Sequence, residues 1–251
     1  MGDQFIRTRM LIGDEPLERL RNARVAVFGV GGVGGYAVEA LARSGVGTLH
    51  LYDDDTVSES NLNRQLIALH STLGQPKAEA MAQRVRDINP DCCTEVFRMF
   101  YLPQNADQVD LSQYDYVIDC IDTVTAKLEL VTRCSALRVK LISAMGTGNK
   151  FDPSALVLTD ISKTEGCPLA RTIRKELRRR GIHHLNVVYS TEPPAAPLRP
   201  AQSEAPAGAD TRPGSSARRD TPGSTPFVPA AAGLLLASAV VRELGQFSLR
   251  Q

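Results

Sequence analysis

The stretch RVAVFGVGGVGG, residues 24–35, decides the fold that this chain is expected to adopt. Its apolar half, residues 24–28, predicts a strand that ends at the glycines, and the apolar spacing that follows predicts a helix from about Val33 to Ser44-Gly45. A second apolar run, TLHLY at residues 48–52, predicts a strand that ends in the acidic turn 53–55. Strand, glycine turn, helix, strand and acid in this order make one βαβ unit of the nucleotide-binding kind.

Four glycines of this turn are candidates for contact with a nucleotide: Gly29, Gly31, Gly32 and Gly34. In the pattern G-x-G-x-x-G, the first glycine permits the tight turn, the second lets backbone amides approach a phosphate, and Gly34 lets helix and strand pack closely. A turn that only packs a helix on a sheet would account for Gly34, but not for so many glycines, each of which costs backbone entropy. Nucleotide binding is therefore the favoured interpretation.

Charged residues at strand ends and helix starts supply further candidates. Asp53 and Asp55 belong to the acidic turn, and Asp53 stands where a carboxylate accepts hydrogen bonds from ribose hydroxyls. Arg64 lies just past a strand end and Lys77 at a predicted helix start, so phosphate contact is favoured over an ordinary surface charge. Asp122 ends a later predicted strand and either caps the next helix or holds Mg²⁺; the metal role is favoured. Together these groups are expected to meet on a triphosphate and its metal.

Composition narrows the class of protein. The chain has 251 residues, a formal net charge of +1, no Trp and five Cys, which suits a large α/β unit without a global field for nucleic acid. No Cys-x-x-Cys occurs, so no zinc site is expected, and neither a disulfide framework nor a signal peptide is seen, so a cytoplasmic location is expected. The longest apolar run, residues 229–241, is too short for a transmembrane segment and predicts a buried C-terminal helix.

Strands and helices continue to alternate beyond the first unit, which predicts an α/β fold with a Rossmann-like, doubly wound, mostly parallel sheet and a C-terminal elaboration. We expect residues 1–251 to form one unit, with a nucleotide-binding core at 3–160 and an elaboration at 161–190 and 224–251. Residues 191–223 are poor in large apolar residues and are expected to form a mobile low-complexity flap. A helical N-terminal segment is predicted at 3–22. The remaining predicted strands are 96–100, 114–122, 139–143, 155–159 and 185–189, and the remaining helices are 76–88, 124–137 and 168–180. Residues 227–244 are expected to form a strand stub and a helix.

Four short motifs stand at the candidate positions: G-x-G-G-x-G from Gly29, N-x-N-R-Q from Asn61, G-Q-P-K from Gly74 and C-I-D from Cys120. Through them, residues 5–160 resemble the ubiquitin-activating-enzyme (ThiF/MoeB/HesA) superfamily, whose bacterial members adenylate a carboxylate with ATP. The resemblance implies a homodimer in which one subunit lends an arginine, Arg7 or alternatively Arg9, to the other subunit's site. It also implies ATP and Mg²⁺ as cofactors, contacted by the residues Asp53, Asn61, Arg64, Gln65, Lys77 and Asp122.

The later half of the chain decides between branches of that superfamily. Activators of ThiS-like and MoaD-like sulfur carriers usually carry two Cys-x-x-Cys pairs for zinc, and this chain has none. Residues 143–153, 167–171, 188–190 and 223–229 instead resemble the tRNA threonylcarbamoyladenosine dehydratase subfamily. The resemblance implies an enzyme that cyclises threonylcarbamoyladenosine in tRNA through a carboxyl-adenylate, with release of pyrophosphate and AMP and net loss of water.

Three alternatives stay open at this point. The runner-up is adenylation of the C-terminus of a ubiquitin-like sulfur carrier protein, followed by a non-enzymatic nucleotide-binding regulator and, last, an NAD-dependent oxidoreductase. A cysteine desulfurase-type protein is a further candidate partner, through sulfur transfer, and the sequence leaves this association open.

Two candidates lie in the later half, Cys167 and Arg171. Cys167 stands at a predicted helix start, where a thiolate is favoured, so an acceptor thiol and a half-buried structural residue are equally supported. Arg171 opens a basic helix, residues 171–180, that is expected to contact tRNA phosphates. His183 and His184 are expected to be structural.

Overall fold

Seven strands form one sheet in the computed structural model, which describes residues 3–196, 198 and 222–248. The strands lie in the order β3-β2-β1-β4-β5-β7-β6, and all neighbours are parallel except β6 and β7. The predicted doubly wound, mostly parallel sheet is confirmed. The chain runs outward from β1 in both directions, so a crevice opens between β1 and β4, where ligands bind in such sheets. The strands are β1 (Arg24–Phe28), β2 (Thr48–Tyr52), β3 (Cys93–Phe97), β4 (Tyr116–Asp119), β5 (Leu141–Ala144), β6 (Leu156–Asp160) and β7 (Asn186–Ser190).

Seven α-helices accompany the sheet in the described part of the chain. The helical segment predicted for residues 3–22 is confirmed and consists of two helices, which Gly13, at φ 87°, separates. The predicted strand stub near residue 227 is wrong, since the last helix begins there directly after Pro226. The helices are α1 (Ile6–Ile12), α2 (Asp14–Asn22), α3 (Gly34–Arg43), α4 (Lys77–Ile88), α5 (Val124–Leu137), α6 (Pro168–Arg179) and α7 (Phe227–Gly245).

Several strand bounds differ from the prediction, and two differences matter for the site. The strand predicted at 96–100 ends at Phe97, which pairs with Tyr52, so residues 98–100 leave the sheet. The strand predicted at 114–122 ends at Asp119, because the Asp119 carboxylate accepts the amide of Ile121 at 3.0 Å and starts a turn. Residues 99–101 and 120–122 are thereby freed to line a pocket.

The C-terminal helix α7 is a core helix. With 19 residues it is longer than the predicted run 229–241 and, among the described residues, is the one helix long and apolar enough to cross a membrane. Ala232, Leu236 and Val240 on it are fully buried in the main core cluster. It packs so closely on α3 that a Cβ on Gly233 would lie 2.2 Å from the carbonyl oxygen of the residue before that helix. The predicted buried C-terminal helix is confirmed.

The prediction of a mobile flap at residues 191–223 falls mostly on residues 197 and 199–221, outside the described part of the chain. At its described start, the amide of Thr191 donates to the carbonyl of Ala155. The Glu192 carboxylate accepts from the amides of Phe151 and Asp152.

Candidate nucleotide-binding site

A cavity of about 430 Å³ lies at the carboxyl ends of the strands β1 to β5. It gathers residues that follow five different strands or begin the helix after them, as expected for a ligand crevice of an open α/β sheet. Most of the candidates predicted from the sequence meet here. The predicted residues that line the cavity are Gly29, Gly31, Gly32, Asp53, Asp55, Arg64, Gln65, Lys77 and Asp122.

The glycines of the turn have two separate roles. Gly31 and Gly32 line the cavity, where they leave the backbone open to a ligand. Gly29 has φ 87°, and a Cβ there would lie 2.9 Å from the carbonyl oxygen of Cys120. Gly34 does not line the cavity, and a Cβ on it would lie 1.8 Å from the carbonyl oxygen of Gly29. The structure therefore gives Gly34 the packing role and not a place in the pocket.

Asp53 ties the acidic turn to the glycine turn. Its Oδ2 accepts the amide of Val30 at 2.6 Å, and its Oδ1 accepts the amide of Asp55 at 2.9 Å. Burial raises the pKa of Asp53 above its ordinary value, against the lowering effect of Lys77 and of these two amides. Because each carboxylate oxygen has more than one acceptor direction, Asp53 can still accept from a ribose hydroxyl in the cavity.

The two predicted phosphate-binding cations reach the cavity from different elements. Lys77 is the first residue of α4, is only 6% exposed, and places its Nζ 2.8 Å from Oδ2 of Asp55. Arg64 is half-buried, and its Nη1 donates to the carbonyl of Ser60 at 2.8 Å and to Oδ1 of Asn63 at 2.9 Å. Burial lowers the pKa of Arg64, yet a guanidinium stays protonated in proteins. Both cations are thus held in place before any ligand binds.

Asn61 and Gln65, which the resemblance both assigned to ATP, differ in their position relative to the cavity. Asn61 is buried outside the cavity, and its Oδ1 accepts the amide of Ser58 at 3.1 Å, so it fixes the turn that carries Arg64. Gln65 is buried and lines the cavity, and its Oε1 is without a hydrogen-bond partner. Since a buried unpaired acceptor is costly, Gln65 is suited to a donor on a ligand.

Asp122 presents an exposed carboxylate at the cavity wall, with one long contact from Oγ1 of Thr123 at 3.4 Å. In the described part of the chain, no group of three or more His, Cys, Asp and Glu side chains could hold a metal ion. A single carboxylate fits Mg²⁺, which is commonly held by one or two carboxylates together with phosphates and water.

Arg7, Cys167 and Arg171 lie outside the cavity. Arg7 is exposed on α1 and has no ion pair with a described residue, whereas Arg9 pairs with Asp3 and, at 2.7 Å, with Asp14. Cys167 is 5% exposed and directly precedes α6, and Arg171 is exposed one turn into that helix. The structure thus favours Arg7 over Arg9 as the arginine that is free to reach another molecule.

Basic residues of α6 differ in what they contact. Arg174 donates to the carbonyls of Ile161 and Thr164, and so supports the loop after β6. Arg179 pairs with Glu176 at 2.7 Å on the same helix. Three exposed cations of α6 make neither of these contacts and are called the outward cations: Arg171, Lys175 and Arg178.

His184, one of the two histidines expected to be structural, is exposed, and its Nδ1 lies 3.3 Å from Oδ2 of Asp160.

Sequence reasoning missed two parts of the cavity wall. Met99, Phe100 and Tyr101 form one side of the cavity after β3. The first two were missed because they were predicted to belong to the strand at 96–100. The second glycine turn, residues 146–148, lines the opposite side together with Leu169, Pro222 and Ser224.

Asn149 joins the described ends of the segment predicted as a flap. Its carbonyl accepts the amide of Ala195 at 2.7 Å, its amide donates to the carbonyl of Gly223 at 2.7 Å, and its Oδ1 accepts the amide of Gly223 at 2.7 Å. Asn149 has φ 58°, a left-handed conformation that asparagine tolerates. Next to it, Nδ2 of Asn63 donates to the carbonyl of Ser224 at 2.9 Å. No local pattern signals contacts between residues so far apart in sequence.

Comparison with known proteins places the cavity in a family context. The model of the ThiF family matches residues 5–250 of the chain. The tRNA threonylcarbamoyladenosine dehydratase of Bacillus subtilis (strain 168) is 44% identical over 245 residues, which are 97% of this chain and 95% of the relative. The enzyme of the same name from Escherichia coli (strain K12) is 39% identical over 197 residues, 75% of this chain and 74% of the relative. The crystal structure of the E. coli tRNA N6-threonylcarbamoyladenosine dehydratase in complex with ATP aligns with a TM-score of 0.82 at 33% identity and covers 96% of this chain and 93% of that chain.

Proposed function

The chain belongs to the ThiF family, and on that premise we propose that it catalyses the ATP-dependent dehydration and cyclisation of threonylcarbamoyladenosine in tRNA. The observation that carries this function is the meeting of Asp53, Arg64, Lys77 and Asp122, from four separate segments, on one cavity. The proposed substrate is that named for the matched dehydratases, one of which has been solved in complex with ATP.

The chemistry proceeds in two displacements. The threonyl carboxylate attacks the α-phosphorus of ATP, and pyrophosphate leaves, so that the carboxyl group becomes an acyl-adenylate. The carbamoyl group of the same side chain then attacks the acyl carbon, loses a proton, and AMP leaves with the former carboxylate oxygen. The net change in the nucleoside is the loss of one water. Because the second nucleophile is tethered to the first, positioning supplies much of the rate.

We assign the cavity residues to this chemistry by charge and place. Arg64 and Lys77 neutralise charge on the phosphoryl groups, and Asp53 accepts from the ribose hydroxyls. Gln65 accepts a donor of the nucleotide at its unpaired Oε1. Asp122 would hold Mg²⁺, which would neutralise phosphate charge. Gly31 and Gly32 leave room for the phosphates against the backbone.

This scheme requires no protein thioester. Burial raises the pKa of Cys120, the cysteine at the cavity wall, to about 12, so its thiol stays protonated at neutral pH. Cys167, the other candidate, is buried and lies outside the cavity. Both thiols are therefore assigned structural roles.

We assign the outward cations of α6, namely Arg171, Lys175 and Arg178, to phosphates of the tRNA. They lie on the helix whose Leu169 lines the cavity, so a polynucleotide along α6 would bring its modified base to the pocket. Cationic contacts of this kind position a nucleic acid without reading its sequence.

A homodimer would complete the site with Arg7. The exposed apolar residues of α1 support this proposal, since Ile6 is 51%, Met10 is 81% and Leu11 is 67% exposed. A second copy that covers this patch would bury apolar surface and bring the free Arg7 to its neighbour's cavity.

The free thiols and the proposed substrate support a cytoplasmic location for this chain. All five cysteines are free, which suits the reducing cytoplasm where tRNA is modified. Among the five, Cys93 is the exposed one, and it is the thiol that a sulfur-transfer partner would reach.

The decisive experiment is mass spectrometry of nucleosides after tRNA carrying threonylcarbamoyladenosine is incubated with ATP and the protein. We expect the modified nucleoside to lose one water with the wild-type chain and with the surface variant Arg86→Ala, but not with Arg64→Ala. ATP–pyrophosphate exchange that a ThiS-type carrier stimulates and modified tRNA does not would establish the alternative function instead.

A further inference from the structure

Three polar side chains are fully buried beneath the cavity floor. Asp119 and Ser143 are 0% exposed and Lys127 is 1% exposed. Lys127 Nζ lies 2.9 Å from Asp119 Oδ2 and donates to Ser143 Oγ at 3.0 Å. Ser143 Oγ donates to the same Oδ2 at 2.6 Å. The three groups form one closed hydrogen-bonded triad, and none of them was singled out from the sequence.

The triad spans the loop that carries Asp122. Asp119 is the last residue of β4 and Lys127 lies in the first turn of α5, so their ion pair closes residues 120–123 into a short loop. Inside that loop, the other carboxylate oxygen of Asp119 accepts the amide of Ile121 at 3.0 Å. The direction in which Asp122 leaves the sheet is therefore fixed at both ends of its loop.

The triad also reaches a second loop of the cavity wall. Ser143 lies in β5, directly before residues 144–148, all of which line the cavity. The carbonyl of Cys120 stands close to the glycine turn, where a Cβ on Gly29 would meet it at 2.9 Å. One buried network thus joins the loops that follow two neighbouring strands, and both loops line the nucleotide pocket.

Stability alone does not account for these residues. Removing a charge from water is costly, and a buried ion pair is commonly no more stable than well-packed apolar residues of the same volume. A triad kept at full burial, directly beneath the pocket loops, points to a need for fixed geometry.

We propose that Lys127, Asp119 and Ser143 are positioning residues that hold the Asp122 loop and the 144–148 loop in the arrangement that ATP adenylation requires. The proposal rests on the proposed function for its activity readout. Lys127 itself does not line the cavity and acts through Asp119 and Ser143.

The test compares variants that separate stability from positioning. The double variant Asp119→Leu/Lys127→Met replaces the ion pair by apolar groups of similar size, and Ser143→Ala removes a single hydroxyl in case the double variant does not fold. Lys140→Met is the matched control, because Lys140 forms an ion pair with Glu243 at 3.5 Å on an exposed surface. Each variant is measured for its melting temperature, hydrogen exchange of residues 120–124, the MgATP-induced shift in melting temperature, and single-turnover AMP formation.

We expect the double variant to melt within a few degrees of wild type but to exchange the amides of residues 120–124 about tenfold faster and to form AMP at least about tenfold more slowly. Ser143→Ala should show the same changes at about threefold, and the control none. Wild-type exchange and wild-type rates in a folded triad variant would overturn the proposal. If the wild-type chain forms no cyclic product, the proposed function fails, while hydrogen exchange and the MgATP shift still decide the positioning role.

Discussion

The ammonium of Lys77 lies 2.8 Å from the carboxylate of Asp55, and both groups face the cavity. The backbone supports the same contact, since the amide of Lys77 donates to the carbonyl of Asp55 at 2.9 Å. Lys77 therefore has a fixed position at the start of α4 before a nucleotide arrives. A phosphate needs only to share an ammonium that is already in place, which lowers the entropy lost on binding.

Lys77→Met should lower the rate of AMP formation about 100-fold, because the cavity loses a preorganised cation beside the phosphoryl groups. The methionine keeps the length of the buried side chain, so the melting temperature should change little. Single-turnover assays with radiolabelled ATP measure the rate, with Lys140→Met as the control. A wild-type rate in Lys77→Met would remove this residue from the reaction.

Asp53→Asn should weaken nucleotide binding about tenfold, through loss of a charged acceptor, and its stability relative to the wild type should improve as pH rises from about 4 to about 7. Burial raises the pKa of Asp53 above its usual 3.8, so the folded state binds a proton more readily than the unfolded state. The contribution of Asp53 to stability therefore falls as pH rises from about 4 through the raised pKa, and it is least favourable at neutral pH.

Thermal melts of wild type and Asp53→Asn between pH 4 and pH 7 test this linkage. As pH rises, the melting temperature of the Asn variant should increase relative to that of the wild type. At the acidic end of the range, this relative gain should disappear. A variant that is markedly less stable at pH 7 than at pH 4, relative to wild type, would contradict the assigned direction.

Neighbouring glycines of α3 should respond oppositely to the same substitution. Gly34→Ala would place a Cβ 1.8 Å from the carbonyl oxygen of Gly29, so we expect a loss of about 3 kcal/mol of unfolding free energy. Gly35→Ala has its nearest neighbour at 3.8 Å and should gain roughly 0.5–1 kcal/mol from reduced chain entropy. Chemical denaturation of the two variants measures both effects; equal effects would show that the turn is free to move.

Arg7→Ala should lose activity without loss of the dimer, whereas Arg9→Ala should mainly destabilise the N-terminal helices, because Arg9 is engaged by Asp3 and Asp14. If Arg7 acts across the dimer, a mixture of inactive Arg7→Ala and Arg64→Ala chains should recover about a quarter of wild-type activity, since only mixed dimers contain one complete site. Size-exclusion chromatography and the nucleoside assay provide the measurements. No recovery after subunit exchange would place Arg7 outside the neighbour's site.

The predictable part of the site was local in sequence. The glycine run, the acid after β2 and the lysine at a helix start each carry their meaning within a few residues, and the structure brings them to one cavity. Asn61 has a second role that its motif did not predict, because its Oδ1 accepts the amide of Ser58 from outside the cavity.

The features that could not be predicted depend on contacts between residues that are far apart in the sequence. The strand at 96–100 was misjudged because Val, Phe, Arg and Met also alternate, and only pairing with β2 shows that the ladder stops at Phe97. Lys127 reads as an ordinary helical lysine until β4 and β5 are placed beside it. Burial and partners, and not residue type, separate a positioning lysine from a surface lysine.

The hydrogen bonds of Asn149 have a consequence for how this enzyme can change over time. Because Ala195 and Gly223 both attach to that one residue, the distance between the ends of the intervening stretch does not depend on its length. Each doubling of a loop adds only about 0.6 kcal/mol of closure entropy. Changes in the length of that stretch should therefore cost little folding stability and leave the spacing of its attachment points unchanged.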